Sequence, residues 1–227
     1  MTAMTDVSLP GAQVTEANLA LKRILTAAWL AVIAGVLVQM IVVGVRAWAG
    51  GVIEQIGFAA EMAQAVTWSA LVCAAIAVGT LASKSRQQFA GLIGLFAGPL
   101  AWAAAKGVQK GVQALAGAPQ DQLTPLFWSV CAWKGIEYAV LGFGLAAIVG
   151  RAEARLGSYI TFGALLGLLS ACIVIALNLA NATLAGGSVP GPKIASLFAN
   201  ELFFATACSM VIYTAQALTR NLAILKT

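Results

Sequence analysis

The chain contains no histidine, only two aspartates (Asp6 and Asp121), and charged residues at 9% of its 227 positions. Without histidine there is no His-ligated haem, little zinc chemistry and no imidazole general base. No G-x-S-x-G elbow and no glycine-rich phosphate loop ending in Lys-Ser or Lys-Thr is present either, so no catalytic activity, cofactor or metal is expected. The net charge is +5, but the basic residues stand singly or in pairs, without interleaved aromatic blocks, and nucleic acid is not an expected partner. Cys73, Cys131, Cys172 and Cys208 show no C-x-x-C spacing and fall inside apolar runs. Small buried packing residues are expected there rather than ligands or disulfides.

What the chain has is apolar length. Hydrophobic residues make up 61% of it and the mean hydropathy is +0.91, against about 45–50% apolar residues in a soluble domain. A spanning helix needs about 20 mostly apolar residues, and six segments qualify: about 24–48, 62–82, 89–110, 126–150, 158–181 and 196–217. The expected fold is all-α and polytopic, with six transmembrane helices in three successive hairpins, about 22–85, 86–151 and 155–220. Short polar tails, 1–21 and 221–227, flank the bundle, whose first partner is the lipid bilayer. The opening twenty residues lack the apolar core of a cleaved signal peptide.

The distribution of basic residues predicts orientation. Lys22, Arg23, Lys84, Arg86, Arg151, Arg155, Arg220 and Lys226 fall on the side of the termini, and Arg46, Lys106, Lys110 and Lys193 on the other. Eight against four places both termini in the cytoplasm, with the bacterial inner membrane as the expected location. Trp48, Trp68, Trp102, Trp128 and Trp133 cluster toward the opposite interface, where an aromatic belt is expected.

The hairpins share a layout. Ala-Gly recurs at 49–50, 116–117 and 185–186, and the first helix of each hairpin carries a small-xxx-small pair: Ala31/Gly35, Gly94/Gly98 and Gly163/Gly167. Such pairs let two backbones approach closely. Packing inside the protomer is the first expectation, with a homo-oligomer or membrane-protein partner docking through the same faces as the alternative.

Charge within the membrane marks the candidate site. Lys134 and Glu137 fall near the bilayer middle in the fourth helix, where each charge costs at least about 2.5–3.5 kcal/mol on insertion scales. Their spacing puts them on one face, able to pair. Removing Glu137 is therefore expected to strand Lys134. Lys106 and Lys110 stand near the outer end of the third helix, where their stems can reach the headgroups. Beyond them Gln109, Lys110 and Gln113 form the polar face of an amphipathic extension. Glu61 and Glu201 follow a phenylalanine by three residues in "FAAEM" and "FANEL" and are expected, with those lysines, around a charged outer mouth. No glutamate recurs at equal depth in all three hairpins, which argues against a ring-type proton carrier. Gly98-Pro99 predicts a kink. The functional expectation is a transport-type protein, a channel or small carrier; the alternative is a non-catalytic transmembrane subunit or scaffold of a larger complex.

Overall fold

The computed structural model describes residues 10–81, 86–119, 124–151 and 154–224. Residues 1–9 and 225–227 of the expected tails lie outside the described residues, as do Lys84, Asp121 and Lys226. The six helices are α1 (Pro10–Trp48), α2 (Gln55–Leu81), α3 (Arg86–Leu115), α4 (Pro125–Val149), α5 (Leu156–Leu184) and α6 (Gly191–Ile224). All six contain a stretch long and apolar enough to cross a bilayer, and the chain is an integral membrane protein. The helices extend beyond the apolar segments at both ends. Residues 10–21, expected as a tail, belong to the opening turns of α1, because only Pro10 and Gly11 interrupt helix-compatible sequence there.

Each hairpin turns in the same way. Gly50, Gly117 and Gly186 have φ of +84°, +67° and +71°, a left-handed conformation that glycine adopts without a Cβ clash. In the first turn Gly50 N–H donates to Ala47 C=O at 3.0 Å and Gly51 N–H to Arg46 C=O at 2.9 Å. The pairs Gly117 to Ala114 and Ala118 to Gln113, then Gly186 to Thr183 and Gly187 to Ala182, repeat it. These are Schellman caps, which satisfy the last carbonyls of α1, α3 and α5.

Consecutive helices pack in order and α1 closes the bundle against α6, while α4 and α5 meet only sparsely. The second helix of each hairpin is the more central one. In their most apolar stretches α2, α4 and α6 are 44%, 50% and 44% buried, against 33%, 28% and 33% for α1, α3 and α5. The outer helices present Ile33, Leu37, Phe96, Leu100, Leu165 and Leu169 outward, an apolar surface suited to lipid.

The small-residue pairs hold each hairpin together from within. A Cβ on Gly35 would stand 3.0 Å from Ala65 O, one on Gly163 would stand 2.8 Å from Ala205 O, and one on Gly94 would overlap Tyr138 O. Gly98 abuts Lys134 O, and Gly167 abuts Glu201 O. These faces are filled inside the chain by the second helix of each hairpin, which is the packing role expected first. The register also corrects the first hairpin: the equivalent of Gly94/Gly98 and Gly163/Gly167 is Gly35/Gln39, one turn later than Ala31/Gly35. Helix α3 runs on through Pro99, whose ring rests against Gly135; the Leu95 carbonyl, deprived of its usual N–H partner by the proline, faces Gly135 as well.

Two further expectations change. Cys73, Cys131 and Cys208 are buried, but Cys172 is exposed on the outer face of α5. Trp48 and Trp128 are exposed near the hairpin-turn end, whereas Trp68 is buried and Trp102 and Trp133 are partly buried. The aromatic belt is therefore thinner than the sequence implies, because three of its five members point into the bundle.

Candidate functional site

The glycine register has a consequence for the charges. Ala65, Tyr138 and Ala205 occupy the same place, each with its carbonyl under a glycine of the preceding helix. One helical turn toward the hairpin turns from them stand Glu61, Lys134 and Glu201. All three inner helices thus carry a charged residue at the same level. Sequence comparison limited to glutamate misses this because the middle hairpin holds a lysine there. At the Gly98 and Gly167 level the first hairpin has Gln39, which donates to Glu61 Oε2 at 3.1 Å.

Lys134 and Glu137 do pair: Lys134 Nζ lies 2.8 Å from Glu137 Oε2, one turn along α4. Glu201, expected at the mouth, crosses from α6 to make a second ion pair with the same ammonium. Ser170 of α5 lies between the carboxylates, 2.8 Å from Glu137 Oε2 and 2.9 Å from Glu201 Oε2. It has one proton to donate, to one carboxylate at a time. Trp133 Nε1 donates to Ser170 Oγ at 2.9 Å. The Lys134 ammonium also sits 5.6 Å from the Trp68 ring centroid and 5.8 Å from that of Tyr138, within cation–π range. Lys134, Glu137 and Glu201 are 2%, 1% and 2% exposed. An isolated charge so enclosed would be prohibitive, and only paired, hydrogen-bonded charges are tolerated at such depth.

Above this cluster a cavity of about 620 Å³ opens toward the hairpin turns. Lys134 and Glu201 belong to its floor, with Val174 and Phe204; Glu137 lies behind Lys134. Glu61 stands in its wall, paired through Oε1 with Arg46 Nη1 at 2.9 Å. Lys106 and Lys110 line its upper part, opposite Lys193 and Asn181. The lysines that open the amphipathic extension of α3 thus face a cavity, with Gln109 and Gln113 beside them. Lys106 Nζ donates to Gln109 Oε1 at 2.8 Å and lies 5.1 Å from the Trp102 ring centroid. Trp102 stacks edge-on against Trp68 at 5.8 Å, and Trp68 against Tyr138 at 5.1 Å.

The first hairpin leaves one wall low. Gly35 precedes its turn glycine, Gly50, by 15 residues, whereas Gly94 and Gly163 precede Gly117 and Gly186 by 23. At about 1.5 Å per residue that arm is roughly 12 Å shorter. Glu61 and Arg46 consequently remain 23% and 27% exposed, while Lys134 and Glu201 at the cavity floor are almost fully buried.

Toward the basic ends of the helices the core closes. Ile76, Leu141, Leu145, Tyr159 and Ile212 are each at most 1% exposed. Cys73 and Cys208 face each other within this plug, Sγ to Sγ 3.2 Å, beside a void of about 10 Å³, which is at the lower limit for one water. Sequence reasoning missed Arg46, Lys193, Ser170 and Trp68 as members of the site. Only Arg46 carried a signal, a lone cation at an apolar helix end. No protein-family model, curated protein or solved structure matches the chain.

Proposed function

We propose that the chain is a transport-type membrane protein, a channel or small carrier with no catalytic step. In this reading the cavity is an aqueous vestibule and Lys134, Glu137 and Glu201 form a gate at mid-membrane depth. The observation that carries it is one cavity whose lining includes polar side chains at every level, from Lys110 and Lys193 near the helix ends to the Lys134–Glu201 pair at the floor. A bundle serving only as a hydrophobic strut gains nothing from such a space, since helix association in lipid depends on close packing. Intramembrane ionisable groups facing a cavity commonly mark a pathway.

Ser170 gives the gate a local two-way element, because its proton can serve Glu137 or Glu201. Passage requires Lys134 to exchange a carboxylate for the moving species and the apolar plug beneath to part. The location that accompanies this reading is the bacterial inner membrane with both termini cytoplasmic, supported by the excess of basic residues on that side; the vestibule then faces away from the cytoplasm.

The second reading is a non-catalytic subunit or scaffold of a larger membrane complex. It is favoured by the completeness of the pairing around Lys134, which a purely structural register device would also show. Native Cys208 separates the two. It lies about 10 Å below Glu201 along α6 by helical rise, in the plug. With Cys73, Cys131 and Cys172 changed to alanine, an impermeant thiol reagent is applied from the basic-end face of proteoliposomes. A transport cycle that opens the plug predicts time-dependent labelling of Cys208 from that face. Complete protection in folded protein contradicts transport and leaves the subunit reading.

A further inference from the structure

The vestibule is cationic beyond what its own carboxylates neutralise. Five basic side chains line it, Arg46, Lys106, Lys110, Lys134 and Lys193, against two carboxylates, Glu61 and Glu201. Both carboxylates are committed. Glu61 is held by Arg46 and Gln39, and Glu201 by Lys134 and Ser170. Glu137 adds a further negative charge at Lys134 itself, so the local pairs leave no surplus of positive charge at the floor. The surplus is carried at the upper level by Lys110 and Lys193, which make no ion pair among the described residues; Lys106 stands on the same wall.

The walls between are amide-rich. Gln109 and Gln113 of α3 and Asn181 of α5 line the space, with Asn178 one turn below, its Nδ2 donating to Val174 C=O at 2.8 Å. Amide N–H groups and ammonium groups together make the donor set that binds oxyanions, and a concave site walled by low-dielectric protein concentrates their field. The Trp102 ring lines the same space, but its Nε1–H is buried away from it and adds no donor. The volume, about 620 Å³, lies within the range of sites that enclose small organic molecules and far exceeds a monatomic ion.

We infer that the upper vestibule binds a molecule bearing an oxyanion group, a carboxylate or phosphate, with Lys106, Lys110 and Lys193 as its counter-charges. This inference rests on the vestibule reading above and assigns its ligand class. Two sources carry this chemistry: a water-soluble organic acid or phosphate, and the headgroup of an anionic lipid entering from the outer leaflet.

The test compares a negatively and a positively charged methanethiosulfonate reagent of similar size. A single cysteine replaces Asn181 in a variant lacking the native cysteines, in phosphatidylcholine vesicles. The reference is Leu184→Cys, at an exposed position on the same helix. The inference predicts that the ratio of anionic to cationic labelling rates is about tenfold or more higher at 181 than at 184, the scale on which charged clefts concentrate counter-ions. The ratio should fall to the reference value in the Lys106→Gln, Lys110→Gln, Lys193→Gln triple variant.

Slowing of labelling at 181 by millimolar succinate or orthophosphate identifies a soluble ligand, and slowing in phosphatidylglycerol vesicles identifies a headgroup. Equal ratios at the two positions, or a preference for the cationic reagent at 181, overturn the oxyanion site while leaving the hydrated vestibule intact. No slowing by succinate, orthophosphate or phosphatidylglycerol overturns binding. Protection of 181 from both reagents, with 184 reactive and the protein folded, overturns the vestibule itself.

Discussion

At the scale of single residues, the decisive contact is the second carboxylate on Lys134. Sequence spacing reveals Glu137 and predicts that its loss strands the lysine; Glu201, 67 residues away on α6, changes that outcome. Either Glu137→Gln or Glu201→Gln leaves one ion pair and is expected to cost about 1.5–3 kcal/mol, the range for losing one charged hydrogen-bond partner. The double variant leaves a buried ammonium with no counter-charge and should cost about 3–5 kcal/mol or fail to fold. Thermal unfolding in detergent checks both; a single substitution as damaging as the double would contradict a shared cation. Lys106→Gln should change stability by less than about 0.5 kcal/mol, because its ammonium faces the cavity, not the sealed core.

At the scale of elements, the glycines divide into those that touch a neighbouring backbone and those that do not. Gly94 and Gly98 press against the backbone of α4, whereas added Cβ atoms on Gly107 and Gly111 would meet nothing within 4 Å. Gly107→Ala should therefore stabilise α3 by about 0.5–1 kcal/mol through helix propensity alone. Gly94→Ala should destabilise by several-fold more, since α3 and α4 must separate. Equal effects of the two substitutions on the unfolding temperature would contradict the packing. Helix boundaries and hairpin turns are legible in the sequence because apolar length and the Ala-Gly caps are local signals. Register is less so: Ala31/Gly35 looks like Gly94/Gly98, and only the inter-helix contacts show that Gln39 takes the second place in the first hairpin. The tryptophans mislead for a related reason. Depth along a helix is readable from sequence, but Trp68 and Trp102 face inward by virtue of which neighbour they meet.

At the scale of the whole molecule, three similar hairpins place a charged residue at one level on each inner helix, and the shorter first hairpin leaves the vestibule open on one side. The glutamate of "FAAEM" and the glutamate of "FANEL" are recognisable as related; their equivalence to Lys134 is not, because charge is reversed and the flanking residues differ. The charged mouth is expected from the sequence, but the depth of the cavity is not, since it arises from polar faces of α3, α5 and α6 that each look like an ordinary interfacial helix end. Reporters fused after Ala118 and at the C-terminus should be found on opposite sides of the membrane, with the C-terminus cytoplasmic; the same side for both would contradict a six-span bundle.

The central claim is that water reaches the middle of the membrane along the inside of this bundle and not along its outside. Helix α5 offers a matched pair for it: Val174 lines the cavity floor, and native Cys172, two residues deeper, faces outward. Two single-cysteine variants, one with Val174→Cys and one retaining only Cys172, are exposed to an impermeant thiol reagent from the hairpin-turn face of oriented vesicles. The account predicts labelling at 174 and protection at 172. Protection at both positions, or labelling at 172 alone, would contradict it.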